Sequence, residues 1–360
     1  MPKLPVDSLG VAVDLHGCPN RCRHCYVGTP PQWTMGRRET ESAGESRLRE
    51  VTSAFRVAGR PLRVSAHVWE PDYSADYRRL HELENELGDL PSARVEMEIL
   101  SIWRLARDEE YAPWAHSIGV RVCQISFFGL EVTTDWACRR PGAFRDALVA
   151  TERLLASGIL PRWQWFLTTR LLPDVPGLLA LVEELRLRER CEALGGPLTL
   201  FLNCPSPDGE AAQLEALRPT VEDVARLPPP LREQSERHLG SALGEAEGVL
   251  VERFLRDERP VAPTEADVFA DPLWLFICRD DNVYANIGEL TPPWRLGNLA
   301  EDGAEGIIVA LEEDRPPALQ ALRTVAVAEL AARFGDRSSR RLYAESDLKS
   351  KLLRSHLGQP

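Results

Sequence analysis

The chain has 360 residues, of which 44% are hydrophobic and 27% charged, a composition typical of a soluble globular protein that buries a substantial core. Its formal net charge of -12 argues against a nucleic-acid groove as the main binding surface, because phosphate contacts require concentrated Lys and Arg. No apolar run approaches the ~20 residues that span a bilayer, and the first ten residues lack the pattern of a signal peptide. We therefore expect a cytoplasmic protein that binds neither nucleic acid nor a membrane.

Six short apolar runs rich in β-forming residues alternate with amphipathic stretches through the first two thirds of the chain. They are residues 11–15, 62–68, 95–100, 120–126, 163–168 and 198–203. Strands that alternate with helices predict parallel pairing through right-handed crossovers. The sequence therefore predicts an α/β fold, a partial (β/α)6 barrel of the TIM type. In such barrels the chemistry lies at the carboxyl ends of the strands.

The alternation ends near Pro228, after which a long polar helical pattern covers residues 231–256. Apolar runs at 273–278 and 283–287 then flank three turn-forming residues, which predicts a β-hairpin around Asp281. A small C-terminal α+β extension is therefore expected after the barrel. The predicted regions are a barrel (1–227), a helical bridge (228–268) and the hairpin with helices (269–360).

The strongest signal is a run of three closely spaced cysteines just after the first predicted strand. Its sequence is Cys18-Pro19-Asn20-Arg21-Cys22-Arg23-His24-Cys25. Thiolates are the protein ligands that iron–sulfur clusters prefer, and three of them leave one iron of a four-iron cubane without a protein ligand. A zinc site of the Cys3His type, with His16 or His24 as the fourth ligand, is the alternative.

This loop resembles the signature of the radical S-adenosylmethionine (SAM) superfamily, including the aromatic Tyr26 directly after the third cysteine. The resemblance implies that Cys18, Cys22 and Cys25 hold a 4Fe-4S cluster and that SAM binds its open iron. It also implies reductive cleavage of SAM to a 5'-deoxyadenosyl radical, which abstracts a hydrogen atom from the substrate. A flavodoxin- or ferredoxin-type protein would donate the electron.

Four further positions match the same superfamily. The stretch from Val68 to Pro71 resembles its Gly-Gly-Glu-Pro run, which implies that Glu70 binds the amino group of SAM although both glycines are replaced. By the same resemblance Ser101 lies near the cofactor and Ser126 reaches the ribose hydroxyls. Arg139, or its neighbour Arg140, would pair with the SAM carboxylate through the planar fork of its guanidinium.

The region from 273 to 299 resembles the SPASM or twitch extension of many family members. Those extensions carry auxiliary clusters, but Cys278 is the one cysteine in this region, so we expect the extension without a cluster. Cys138, Cys204 and Cys278 are positional candidates for a thiol that returns a hydrogen atom to a substrate radical. Packing as small apolar side chains is the alternative for each.

The resemblance implies an enzyme that tailors a natural product, which would be a small metabolite, a sugar or a peptide. Epimerisation, rearrangement, elimination and oxidation remain open, and with them the isomerase, lyase and oxidoreductase classes. A non-catalytic zinc or iron–sulfur protein with a regulatory role is the alternative. The basic stretch from Arg333 to Arg354 is either a docking site for an acidic peptide or an electron donor, or a solvated helix face.

Overall fold

The structure is a computed structural model that describes residues 7–15, 22–25, 41–57, 63–69, 71–264, 268, 272–285 and 289–358. Three of the predicted site residues, Cys18, Tyr26 and Glu70, lie outside the described residues. In the described ranges every helix is too short or too polar to span a membrane.

The described residues form strands and helices in the following order along the chain. The strands are β1 (Ser8–Asp14), β2 (Arg63–Trp69), β3 (Val122–Phe127), β4 (Leu160–Phe166), β5 (Thr199–Asn203), β6 (Glu245–Ala246), β7 (Leu273–Ile277), β8 (Asn282–Tyr284), β9 (Arg295–Asn298) and β10 (Leu342–Tyr343). The helices of the first half are α1 (Glu41–Val57), α2 (Tyr77–Leu87), α3 (Arg94–Met97), α4 (Ile102–Leu105), α5 (Tyr111–Ser117), α6 (Glu131–Cys138), α7 (Ala143–Ala156), α8 (Val175–Glu184) and α9 (Leu187–Ala193). Those of the second half are α10 (Val221–Ala225), α11 (Pro229–Leu239), α12 (Glu247–Phe254), α13 (Leu299–Glu312), α14 (Pro317–Thr324), α15 (Val327–Phe334) and α16 (Glu345–Leu357).

Two sheets with parallel strands form the centre of the fold. In the larger sheet the strand order is β2-β1-β7-β8-β9; β1 is parallel to both β2 and β7, whereas β8 is antiparallel to its neighbours. In the smaller sheet β3, β4 and β5 are parallel. The mixed α/β class is thus confirmed, while the partial barrel of six β/α units stays a prediction.

Each of these sheets packs its helices through a separate apolar core. In α7, Ala147, Ala150 and Leu154 recur at three- and four-residue spacing, which places them on one buried face. That face packs on the smaller sheet, where the indole nitrogen of Trp163 donates a hydrogen bond to Thr151 Oγ1 (3.2 Å). Helix α7 therefore covers one face of the smaller sheet, and the ends of its strands stay available for a site.

The strand predicted at 95–100 is wrong. Helix α3 occupies its first half, and Glu98 then adopts a left-handed backbone conformation with φ of 52°. The cause is Arg94, whose buried side chain pairs with Asp72 after β2 and holds this segment in a turn. A buried arginine requires such a partner, and the pattern of apolar residues alone does not reveal it.

The single long helix predicted over 231–256 is also wrong, because α11 ends at Leu239 and α12 begins only at Glu247. Gly240 ends α11 with φ of 69°, a left-handed conformation that glycine adopts without steric cost. The short strand β6 lies between the two helices and pairs with β10.

The hairpin expected around Asp281 is present as β7 and β8, in which Ile277 lies opposite Val283. Strand β7 is also parallel to β1, with Leu9 paired to Leu273. The C-terminal region therefore shares its sheet with the first strand of the chain. The division into three regions at 227 and 268 stays a prediction.

Candidate functional site

A cavity of about 610 Å³ lies where the parallel strands of both sheets end. Pockets that bind small molecules typically have volumes of ~300–1,000 Å³. Strands of the two sheets contribute His67, Trp69, Gln124, Ser126, Gln164, Phe166 and Asn203 to its wall. This is the edge at which α/β barrels place their chemistry.

Strands β3 and β4 present a polar row to the cavity because successive side chains of a strand point to opposite faces. Trp163 and Trp165 are fully buried behind β4, whereas Gln164 between them lines the cavity. Gln124 Nε2 donates a hydrogen bond to Gln164 Oε1 (2.6 Å), and Ser126 Oγ donates to the same oxygen (3.4 Å). The row therefore offers amide and hydroxyl groups in a fixed arrangement.

Cys22 and Cys25 lie on the wall of the same cavity, and neither forms a disulfide. The amide of Cys25 donates to the carbonyl of Cys22 (3.2 Å), which forms a tight turn between them. The amide of Arg23 donates to Ala137 O (2.8 Å), and that of Ala211 donates to Cys25 O (3.0 Å). The turn is thus fixed to the end of α6 and to the segment after β5.

These two thiols fit the 4Fe-4S cluster that the family resemblance implies, because both are half-buried side chains on one cavity wall. The third predicted ligand, Cys18, lies outside the described residues. Among the residues that the structure describes, no group of three His, Cys, Asp or Glu side chains is arranged to hold a metal ion.

His24 packs its ring against Phe128 and Phe166, with ring centroids 4.3 and 5.0 Å away. Burial lowers the pKa of His24 to about 3, so its ring is neutral near pH 7. Its Nδ1 atom is buried and has no hydrogen-bond partner within the described ranges. The ring therefore anchors the cysteine turn to the aromatic end of β4.

Two of the predicted cofactor residues, Ser101 and Ser126, line the cavity. Ser101 also caps α4, since its Oγ accepts a hydrogen bond from the amide of Arg104 (3.3 Å). Arg139 is not among the lining residues; its guanidinium donates to Gln213 Oε1 (2.8 Å). Its neighbour Arg140 does line the cavity. That Ser101, Ser126 and one of the two arginines contact a bound cofactor stays a prediction.

Cys138 and Cys204 line the cavity as well, whereas Cys278 is buried and is not part of the wall. The thiol of Cys22 lies 3.9 Å from the carbonyl oxygen of Cys138. Burial raises the pKa of Cys204 to about 11, so this thiol stays protonated at neutral pH. Both side chains are therefore positioned to face a bound ligand.

Sequence analysis missed Asp347, which reaches the cavity wall from α16 near the end of the chain. Burial raises the pKa of this carboxyl. Its partner is Arg218, with Nη2 3.1 Å from Asp347 Oδ2. An acid in the first turn of a C-terminal helix carries no signal that would distinguish it from an ordinary helix-start charge.

Comparison with known proteins finds similarity in structure but not in sequence. No family model and no curated protein matches this chain. Solved structures of anSMEcpe, an anaerobic sulfatase-maturating radical SAM enzyme, do match. The native enzyme with bound AdoMet has a TM-score of 0.50 at 13% identity, and the match covers 97% of this chain and 96% of that one.

Two further structures of the same enzyme match to the same degree. A polyhistidine-tagged form with AdoMet gives a TM-score of 0.50 at 13% identity and covers 97% and 93% of the two chains. The native form with AdoMet and the Kp18Cys peptide gives 0.50 at 13%, with 97% and 96% covered. At this identity the likeness concerns the fold, which this chain shares along nearly its whole length.

Proposed function

We propose that this chain is a radical SAM enzyme in which Cys18, Cys22 and Cys25 hold a 4Fe-4S cluster. The observation that carries the proposal is the placement of Cys22 and Cys25 on the wall of a cavity at the carboxyl ends of parallel strands. The fold shared with an enzyme that binds AdoMet supports it.

When bound, the cluster supplies the electron that breaks a carbon–sulfur bond of SAM and releases a 5'-deoxyadenosyl radical. The chain itself binds and orients SAM. Ser126 is placed for the ribose hydroxyls, since it belongs to the polar row that Gln124 and Gln164 fix. Arg140, rather than Arg139, is the arginine of this segment on the cavity wall, and it suits the carboxylate of SAM.

The substrate would occupy the part of the cavity near Asp347 and Cys204, on the side of β5 and α16. A small metabolite, a sugar or the side chain of a peptide is the substrate class that we propose. A peptide is included because a structural neighbour holds one. The reaction would be an epimerisation, rearrangement, elimination or oxidation in the tailoring of a natural product.

The test begins with anaerobic reconstitution of the full chain with iron and sulfide. We expect about four irons per chain. Adding SAM and dithionite should then yield 5'-deoxyadenosine. Cys22→Ala should lose both the iron and the product. Cys191→Ala is the matched control, because Cys191 is a buried cysteine of α9 that is not part of the cavity wall and should leave both unchanged.

Tightly bound zinc and no cleavage of SAM would contradict the proposal and favour the structural-metal alternative. Equal iron loading in wild type and Cys22→Ala would contradict the ligand assignment. Cleavage of SAM that requires Cys22 would leave only the substrate to be identified.

A further inference from the structure

A group of arginines, two of them exposed, lies around one half-buried tryptophan beside the cysteine turn. Two guanidinium groups contact the ring of Trp136 in α6: Arg170 Cζ is 4.0 Å and Arg23 Cζ is 4.7 Å from its ring centroid. Arg139 joins them, because it and Arg23 donate hydrogen bonds to the same Gln213 Oε1, at 2.8 and 3.2 Å. We call Arg23, Val132, Trp136, Arg139 and Arg170 the arginine–tryptophan patch.

The patch combines exposed cations with exposed apolar surface. Val132 lies one helical turn before Trp136 on the same face of α6 and is 83% exposed. Arg170 and Arg139 are exposed residues. Arginine and tryptophan are the residues that most often dominate the energy of protein interfaces, and an isolated valine exposed to this extent gains when a partner covers it.

The patch is also positively charged within an acidic protein. Among the ion pairs between described residues, the patch contributes one, that of Arg139, and neither Arg23 nor Arg170 pairs with a described carboxylate. Arg139 has Glu210 at 3.5 Å. Three cations therefore face one carboxylate, although the chain as a whole carries a formal net charge of -12. The guanidinium groups of Arg23 and Arg170 repel each other across the same indole ring, and an anionic group of a binding partner would reduce this repulsion.

Arg23 belongs to the cysteine turn itself, since it lies between Cys22 and Cys25 and its amide donates to Ala137 O. Its Nε donates to the carbonyl of Trp136 (3.3 Å). A protein that covers the patch would thus approach within a few side chains of the cluster ligands. Short distance is what transfer of an electron between proteins requires, and such redox complexes use small, weak and charged interfaces.

The basic stretch from Arg333 to Arg354 fits this role less well, because its cations are largely paired within the chain. Arg337 pairs with Glu252 (3.1 Å) and Lys349 with Glu345 (2.9 Å). Lys351 pairs with the buried Glu247 (2.7 Å). Cations that are already paired attract an acidic partner weakly.

We infer that the arginine–tryptophan patch is the docking surface for a small acidic electron-transfer protein of the flavodoxin or ferredoxin type. The inference rests on the proposed function, since a donor is required only if the cysteine turn holds a redox cluster. Association is driven by charge complementarity, and contact with Val132 and Trp136 positions the donor beside the cysteine turn.

The test measures binding of an acidic flavodoxin to the reconstituted holoenzyme by biolayer interferometry at low ionic strength. Arg170→Glu should weaken the affinity for flavodoxin about tenfold or more. The new carboxylate repels the acidic flavodoxin, both during its approach and in the complex. Val132→Asp, at a site too exposed to affect folding, should weaken it about fivefold. Arg341→Glu is the matched control: an exposed arginine in the basic stretch, whose reversal should change the affinity less than about twofold.

A second readout separates this inference from the proposed function. With dithionite as the reductant, Arg170→Glu should form 5'-deoxyadenosine as fast as wild type, whereas with reduced flavodoxin it should be slower. Equal flavodoxin affinity in wild type, Arg170→Glu and Val132→Asp would overturn the docking surface, and so would an equal loss in Arg341→Glu. Failure of wild type to cleave SAM with dithionite would overturn the proposed function instead.

Discussion

The carboxylate of Asp347 lies 3.1 Å from the guanidinium of the buried Arg218, and this half-buried ion pair connects α16 to the wall of the cavity. Arg218 is 3% exposed and also donates to the carbonyl oxygen of Leu342 (3.2 Å). Its guanidinium stacks on Tyr343, with 4.2 Å between Cζ and the ring centroid. Arg218 thus contacts Leu342, Tyr343 and Asp347, and these contacts fix the C-terminal segment beside the cavity.

Arg218→Met should destabilise the protein by about 3 kcal/mol, because it leaves the half-buried Asp347 and the backbone carbonyls of Pro205 and Leu342 without their partner. Arg340→Met is the matched control, since the Arg340–Glu222 pair is exposed and should be worth less than about 1 kcal/mol. Urea unfolding followed by circular dichroism measures both. Similar losses in the two variants would contradict the structural role of Arg218.

Glu289 should make the stability of the protein depend on pH. Burial and repulsion from Asp208 raise the pKa of this carboxyl from 4.5 to about 7. Because the folded state then binds the proton more tightly than the unfolded state, the free energy of unfolding falls as the pH rises from about 4.5 to 7. The loss is on the order of 3 kcal/mol, and it is complete above the folded pKa.

Replacement of Glu289 by Gln should remove this part of the pH dependence and stabilise the protein at about pH 8, while changing little at about pH 5. Urea unfolding across this pH range provides the measurement. A variant as pH-dependent as the wild type would show that the carboxyl of Glu289 is already ionised in the folded state at acidic pH.

Gly10 lies opposite Trp274 in the register of β1 and β7, and a Cβ atom at this position would overlap the indole ring. Gly10→Ala should therefore destabilise the protein by about 1–3 kcal/mol. The double variant Gly10→Ala with Trp274→Ala should lose less than the sum of the single variants, because the overlap is absent. Additive losses, measured by urea unfolding, would mean that the two residues do not meet.

Ser126→Ala should weaken the binding of SAM to the reconstituted protein about fivefold, the value expected for one hydrogen bond of roughly 1 kcal/mol. Equilibrium dialysis with labelled SAM gives the dissociation constant. Ser117→Ala, at an exposed serine of α5, is the control and should bind SAM like the wild type. An unchanged affinity in Ser126→Ala would remove this residue from the proposed cofactor site.

Local sequence patterns predict most strands of the fold because their information is short-range. The alternation in β3, where Cys123, Ile125 and Phe127 are buried and Gln124 is not, can be read directly from the residues. The strand predicted at 95–100 is wrong because its conformation depends on a long-range contact. There the conformation depends on an ion pair between Arg94 and Asp72, a contact between segments that no local pattern encodes.

In the candidate site, too, some residues can be predicted from local sequence and others cannot. The spacing of the cysteines predicts that Cys22 and Cys25 face one point, and the structure places both on the cavity wall. Asp347 reaches that wall from a helix more than 300 residues further along the chain. Its position follows from the packing of α16 against the rest of the molecule, which the sequence near Asp347 does not specify.

The pairing of β1 with β7 also has a consequence for the order in which the molecule is assembled. During synthesis, β1 leaves the ribosome before β7, and Leu9 cannot reach its place beside Leu273 until the roughly 260 residues between them have been translated. Until then one edge of β1 exposes unpaired main-chain groups, which attract other strands. Closure of so long a loop is slow because of its entropy. We therefore expect the nascent chain to depend on chaperones, and lower growth temperature to raise the yield of folded protein.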